Sequence, residues 1–152
     1  MALVSYVEGD ESLLARVQPL WEGLNRHHLE RSPYFGEWYA GFTFERRREM
    51  MLQDCRALQV ILALDGAEAV GYCISKVAAD GMGEIESLYV TPACRGQAVG
   101  DGLMRRALAW LDAQGVKGKR LGVAVGNEDV FAFYRRYGFY PRLTVLLQKV
   151  DN

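Results

Sequence analysis

Cysteine is scarce in this 152-residue chain and histidine scarcer still. The three cysteines, Cys55, Cys73 and Cys94, are widely spaced, odd in number and form no C-x-x-C pair, which excludes a disulfide framework and a cysteine-built zinc site. They read as reduced thiols of a cytoplasmic protein. The two histidines, His27 and His28, are adjacent near the end of a helical pattern and no third ligand accompanies them, so no metal is expected. Charge of one sign is not in excess either. Eighteen Lys and Arg face 19 Asp and Glu, for a net charge of −1. Without a basic field the chain has no means of holding a nucleic-acid backbone. No apolar run approaches a membrane span, so no membrane partner is expected. The start, Met1 to Ser5, lacks a basic segment followed by an apolar one, which excludes a signal peptide. What is present is half apolar and about a quarter charged, the balance of one soluble domain over 1–152.

Periodicity divides that domain. Leu3 to Glu8 reads as a strand, and Asp10 caps a helix carrying Leu13, Leu14, Val17, Leu20, Trp21 and Leu24. Pro19 inside that pattern predicts a kink or break near Gln18. Residues 32–42 fit neither period and form an aromatic loop, followed by a helix from Thr43 to about Cys55. The pattern then alternates through Leu58, Val60, Leu62 and Leu64. It turns at Asp65-Gly66, returns over Val70 to Val77 and runs again over Glu84 to Val90. A glycine-containing turn leads into a helix with Leu103, Met104, Ala107, Leu108 and Leu111 on one face, stopped by Gly115. Leu121 to Val125 is the next strand. Asn127 caps a helix with Val130, Phe133, Tyr134 and Tyr137, Gly138 ends it, and Leu143 to Lys149 is the last strand. Hairpins followed by strand–helix–strand units predict an α/β (α+β) fold: a mixed, mostly antiparallel sheet with helices on both faces.

The turn from Val90 to Gly102 carries the first chemical signal. Small residues at Gly96, Ala98 and Gly100 let the backbone turn closely before a helix, whose free amides favour an anion such as pyrophosphate. Arg95 adds a charged donor. No Gly-Lys-Ser/Thr follows, and the glycines at 96, 100 and 102 do not make G-x-G-x-x-G, so neither nucleotide-binding fingerprint fits. An ordinary strand–helix turn is the plain alternative.

Three segments in order resemble the GNAT superfamily of N-acetyltransferases. The turn is similar to that family's Arg/Gln-x-x-Gly-x-Gly/Ala loop, with Ala98 in place of the middle glycine. Glu84 to Val90 resembles its fourth strand, and Asn127 with Tyr134-Arg-Arg-Tyr-Gly-Phe139 its asparagine-to-Tyr-x-x-x-Gly-Phe signature. The resemblance implies six to seven strands, of which the fourth and fifth splay apart around the pantetheine arm of acetyl-CoA. It places that cosubstrate against Leu88, Tyr89 and Val90, the turn Arg95, Gly96, Gln97, Ala98, Val99, Gly100 and Asp101, and Asn127 and Tyr134. Tyr134 would be the acid that protonates the leaving thiolate, and a backbone amide near Leu88 to Val90 would stabilise the oxyanion.

An ammonium with a pKa near 10 must lose a proton before it attacks, and Glu86 is the candidate base, directly or through a water, with Glu84 second. Tyr34, Phe35 and Trp38, with Glu84, are candidates for the acceptor site; a lid or dimer contact is the alternative for the aromatic loop. Arg46-Arg47-Arg48 could meet the cosubstrate's outer phosphate, but a solvated helix face is the preferred reading. The implied activity is acetyl transfer to a small-molecule amine. A peptide or protein amine, a non-catalytic acyl-CoA-binding module and a homodimer through the last strands stay open.

Overall fold

Residues 3–150 are described in a computed structural model. The chain opens with β1 (Val4–Gly9). Asp10 then caps a short 3-10 turn, Glu11–Leu13, by accepting the Ser12 amide at 2.9 Å. From that turn α1 (Leu14–Arg31) runs for 18 residues with Pro19 inside it. No break falls near Gln18: Leu14 and Val17 before the proline and Leu20 and Trp21 after it are all buried against one core. The aromatic segment is likewise not all loop: it holds α2 (Gly36–Ala40). Thr43 caps α3 (Phe44–Leu52), which ends three residues sooner than the sequence suggests.

Then come β2 (Cys55–Asp65), β3 (Glu68–Ala78), β4 (Gly83–Val90), α4 (Val99–Ala113), β5 (Lys119–Leu121) and α5 (Phe131–Arg135). The five strands form one sheet in chain order, antiparallel from β1 to β4 and parallel only between β4 and β5. Alternation along the strands feeds two cores. Val60, Leu62, Tyr72 and Ile74 face α1 and α3, while Ile61, Ala63, Cys73 and Ile85 face α4. The helices therefore cover both faces, as the pattern predicts.

Two expected strands are corrected. β5 stops at Leu121 instead of reaching Val125, and 143–149 is not a strand, so the sheet has five strands rather than six or seven. The causes are linked. β5 offers three residues of edge and 122–125 pair with nothing, so the final segment finds no neighbour. Tyr140, Leu143, Val145, Leu146, Leu147 and Val150 stand 68–90 % exposed.

Candidate active site

The site originates in one extra residue. In the β3–β4 register Ile74 faces Ser87 and Ser75 faces Ile85, so Glu86 is skipped and β4 bulges there. The bulge explains why Ile85 and Leu88, three apart in a strand, both face the α4 side. Beyond Ile85 the outer edge of β4 has lost its parallel partner, because pairing with β5 covers only Gly83 to Ile85. The open edge and the diverging 122–125 segment frame two connected hollows.

The larger, about 620 Å³, is lined by Leu88, Tyr89, Val90, Arg95, Gly96, Ala98, Val99, Gly100, Asp101 and Asn127, among others. All of these belong to the set the resemblance assigns to the cosubstrate; of that set Gln97 and Tyr134 do not line this hollow. The first hydrogen bond of α4 runs from the Gly102 amide to the Ala98 carbonyl at 3.0 Å, so the amides of Val99, Gly100 and Asp101 have no helical partner. Arg95 is braced by its Nε on the Val90 carbonyl at 3.0 Å. Asp101 adds negative charge to the first turn, where it is engaged by Arg105, Arg136 and the Tyr137 hydroxyl. This hydroxyl is thereby pushed up to about 12, by burial and then by the Asp101 carboxylate.

Ala98 itself sits at φ +61°, ψ 17°, the left-handed region where the family resemblance puts glycine. A methyl-bearing residue is strained there by about 1–2 kcal/mol. Ala98→Gly is therefore expected to raise unfolding free energy by about 1 kcal/mol in urea titration, offset in part by glycine's greater freedom when unfolded.

The smaller hollow, about 270 Å³, lies on the other side of the open edge between α1, α2 and the 122–124 segment. Its one carboxylate is Glu86, whose side chain is 10 % exposed. Arg47 Nη2 meets both the bulge carbonyl of Glu86, at 2.7 Å, and its Oε2, at 3.0 Å, while Lys76 Nζ lies 3.3 Å from Oε1. Burial alone would raise this carboxyl. The neighbouring Glu84 carboxyl and the two cations outweigh it and hold Glu86 below the usual carboxylate range. Glu84 moves the opposite way, raised by Glu86 and by burial, and it lies outside the hollow on Arg120. Arg47 is thus no solvated helix residue: its side chain is 18 % exposed and closes the floor of the cleft.

Tyr134 lines the same hollow, with Phe133 at 5.2 Å and Phe139 at 6.5 Å between ring centroids. Burial raises its phenol far above the ordinary value, so it stays protonated throughout the neutral range. Asn127 lines both hollows. It opens the Glu128–Val130 turn without a side-chain capping bond, and its Oδ1 instead meets His27 Nε2 at 3.1 Å. The side-chain capping expected of it is thus absent, and the Glu128 carboxylate accepts the Gly126 amide ahead of the turn at 2.9 Å.

His28, one residue on, faces the acceptor-side hollow and tilts against Tyr39 at 5.4 Å, with its Nδ1 buried and unpartnered. Burial, then the adjacent His27, depresses it to about 4. The folded state resists a proton that the unfolded chain takes up near 6.5, so stability falls as pH drops from 6.5 towards 4. After allowance for partial solvent access, wild type should lose about 1–2 kcal/mol between pH 7 and pH 5 in urea titrations. His28→Phe should flatten that slope.

Of the expected acceptor-site residues, Trp38 lines the hollow; Tyr34, Phe35 and Glu84 do not. Trp38 instead joins Trp21, Tyr39 and Phe42, and Asn25 fixes this group by donating to the Tyr39 carbonyl at 2.9 Å. Sequence reasoning missed Arg47, His28 and the two cations Arg31 and Arg136 of the larger hollow. Only Arg136 carried a signal, within the Tyr-x-x-x-Gly-Phe segment. Among the described residues no group of three or more His, Cys, Asp or Glu is placed to hold a metal, and no helix is long and apolar enough to cross a membrane.

Comparison with known proteins bears on the family and the fold. The mycothiol acetyltransferase of Streptomyces avermitilis is 33 % identical over 92 residues, 60 % of this chain and 30 % of that protein. Its counterpart from Corynebacterium glutamicum is 28 % identical over 119 residues, 78 % of this chain and 40 % of that one. The chain thus spans well under half the length of these curated relatives. Among solved structures, an aminoglycoside N-acetyltransferase in complex with CoA superposes with a TM-score of 0.64 at 16 % identity, covering 100 % of this chain and 97 % of its own. That likeness establishes the fold. The profile of the Acetyltransferase (GNAT) family matches residues 24–139, and this chain belongs to that family.

Proposed function

We propose that the protein transfers an acetyl group from acetyl-CoA to a primary amine of a small molecule, the amine attacking the thioester directly. The observation that carries this reading is the junction of the two hollows. Leu24, Leu88, Asn127 and Val130 line both, so a cofactor-sized pocket opens directly into a small acceptor cleft. The residues present fit acetyl-CoA. Unpartnered amides of Val99 to Asp101 with Arg95 suit a pyrophosphate, and the open edge at Leu88, Tyr89 and Val90 suits an extended amide-bearing arm. When bound, that cosubstrate supplies the activated acetyl thioester.

The chain's own groups then divide the work. The Leu88 to Val90 edge orients the thioester and offers an amide to the carbonyl oxygen as charge develops there. Glu86, ionised at neutral pH, accepts a hydrogen bond from the incoming amine or from a water that carries its proton to solvent. Its lowered pKa makes it a weak base, so it serves more to align than to abstract. As the carbon–nitrogen bond forms and the carbon–sulfur bond breaks, Tyr134 gives its proton to the departing sulfur. A cleft of about 270 Å³ favours a small molecule over a peptide segment. Titration calorimetry of acetyl-CoA should show micromolar binding, weakened about tenfold by Arg95→Ala through loss of a charged hydrogen bond. Absence of binding to the unaltered protein would sink the proposal.

The exposed apolar run from Tyr140 to Val150 supports pairing with a second copy. One chain carries both a strand-like segment without a neighbour and, among the described residues, an unpaired outer edge on β5. Light scattering should give a dimer mass for wild type and a monomer mass for Val145→Asp with Leu147→Asp.

A further inference from the structure

The charge inventory of the acceptor cleft narrows its ligand, taking the acetyltransferase reading as its basis. Two tryptophans, two tyrosines and a phenylalanine stand around it. Trp38 lies stacked on Phe42 at 4.3 Å between centroids, and Trp21 meets the same ring edge-on at 5.6 Å. Leu24, Met50 and Ile85 add apolar surface. Against this area the cleft sets one carboxylate, and both oxygens of Glu86 are already engaged, one by Arg47 and the other by Lys76. Glu84, the next carboxylate along β4, is outside the cleft and held by Arg120. Arg47 therefore stands at the floor beside one anion, with the buried Lys76 ammonium behind that carboxylate. His28, on the opposite wall, is neutral at pH 7.

A ligand with several ammonium groups would find no free carboxylate for its second charge and would bring it towards Arg47 and Lys76. Like charges in a dehydrated site are strongly unfavourable. A ligand with one amine and a flat apolar body has the opposite balance. Its body covers the rings, and its amine, neutral when it reacts, needs only the Leu88 edge and the Glu86 oxygens.

We infer that the acceptor is a monoamine carried on an aromatic or apolar body, an arylalkylamine in chemical class, and that polycationic amines are disfavoured. Trp38, 47 % exposed at the rim, is the specificity-determining ring.

The test is a comparison of kcat/KM with acetyl-CoA for phenethylamine and tryptamine against spermidine and kanamycin, following thiol release and confirming N-acetylated product by mass. The arylalkylamines are expected to lead by at least tenfold. Trp38→Ala should raise their KM about tenfold at similar kcat, and Trp38→Phe should restore it. Equal or faster acetylation of the polycations overturns the inference while sustaining acetyl transfer. Acetyl-CoA binding with no product from any of the four amines removes the small-amine reading itself. An unchanged KM in Trp38→Ala removes the assigned role of the aromatic wall.

Discussion

Tyr134→Phe is expected to lower kcat about 100-fold or more while leaving acetyl-CoA affinity and folding stability nearly intact. The substitution removes one hydroxyl and keeps the ring. The ring's contacts with Phe133 and Phe139 are aromatic and survive, so the stability change should stay within about 1 kcal/mol. Among the described residues no hydrogen bond reaches the Tyr134 hydroxyl from the protein, so its removal orphans no partner. Loss of a positioned general acid typically costs 10²–10⁴ in rate. Burial raises the phenol well above its ordinary value, so the proton is in place at every pH at which the fold is measured. The wild-type rate should accordingly show no alkaline decline from this group below pH 10. Turnover and calorimetry on the same preparation separate the roles. A kcat equal to wild type would leave Tyr134 as a packing residue only.

Much of the scaffold was legible because local periodicity and tertiary packing agree. The three-and-four spacing of α4 puts Leu103, Met104, Ala107 and Leu111 at full burial. Asp65-Gly66 turns β2 into β3 as its dipeptide suggests, with Gly66 at φ +62°. The turn before α4 was legible for a similar reason: its free amides depend on backbone geometry that a few small residues specify. What was not legible depends on distant partners. Arg47 looked like one of three equivalent arginines, and only the folded chain brings Glu86, 39 positions away, to it. The bulge had a trace in Ile85 and Leu88, both apolar at a spacing strict alternation forbids. β5 and the 143–149 segment show the reverse error. Both have strand-like patterns, and a pattern makes a strand only where a neighbouring edge exists to satisfy its amides.

Gly126→Ala is expected to be the most damaging small substitution in the chain, because it attacks the clasp between the two walls of the site. Gly126 stands at φ +102°, and a Cβ there would overlap the backbone carbonyl of Arg31 at the end of α1. A main-chain atom at a helix end cannot turn aside as a side chain can. The next residue is Asn127, tied to His27 of α1, and two residues further Asp129 meets Arg31 at 3.3 Å. The close approach at Gly126 thus sets how α1 and the loop after β5 face each other, and these walls carry Leu24, His27, Asn127 and Val130. The backbone angle costs about 1–3 kcal/mol for a residue with a side chain, and the overlap adds to it, for roughly 2–4 kcal/mol in all. At this chain length that is a fall of roughly 5–15 °C in Tm. Gly115→Ala supplies the control. Gly115 also has positive φ, at +68°, yet nothing stands within 4 Å of its Cβ position, so it reports the backbone cost alone, about 1 kcal/mol. The clasp predicts that Gly126→Ala exceeds Gly115→Ala in urea titration by at least 1 kcal/mol and also weakens acetyl-CoA binding several-fold. Equal losses, with cosubstrate affinity unchanged, would mean that the loop swings free of α1 and that the facing of the two walls is set elsewhere.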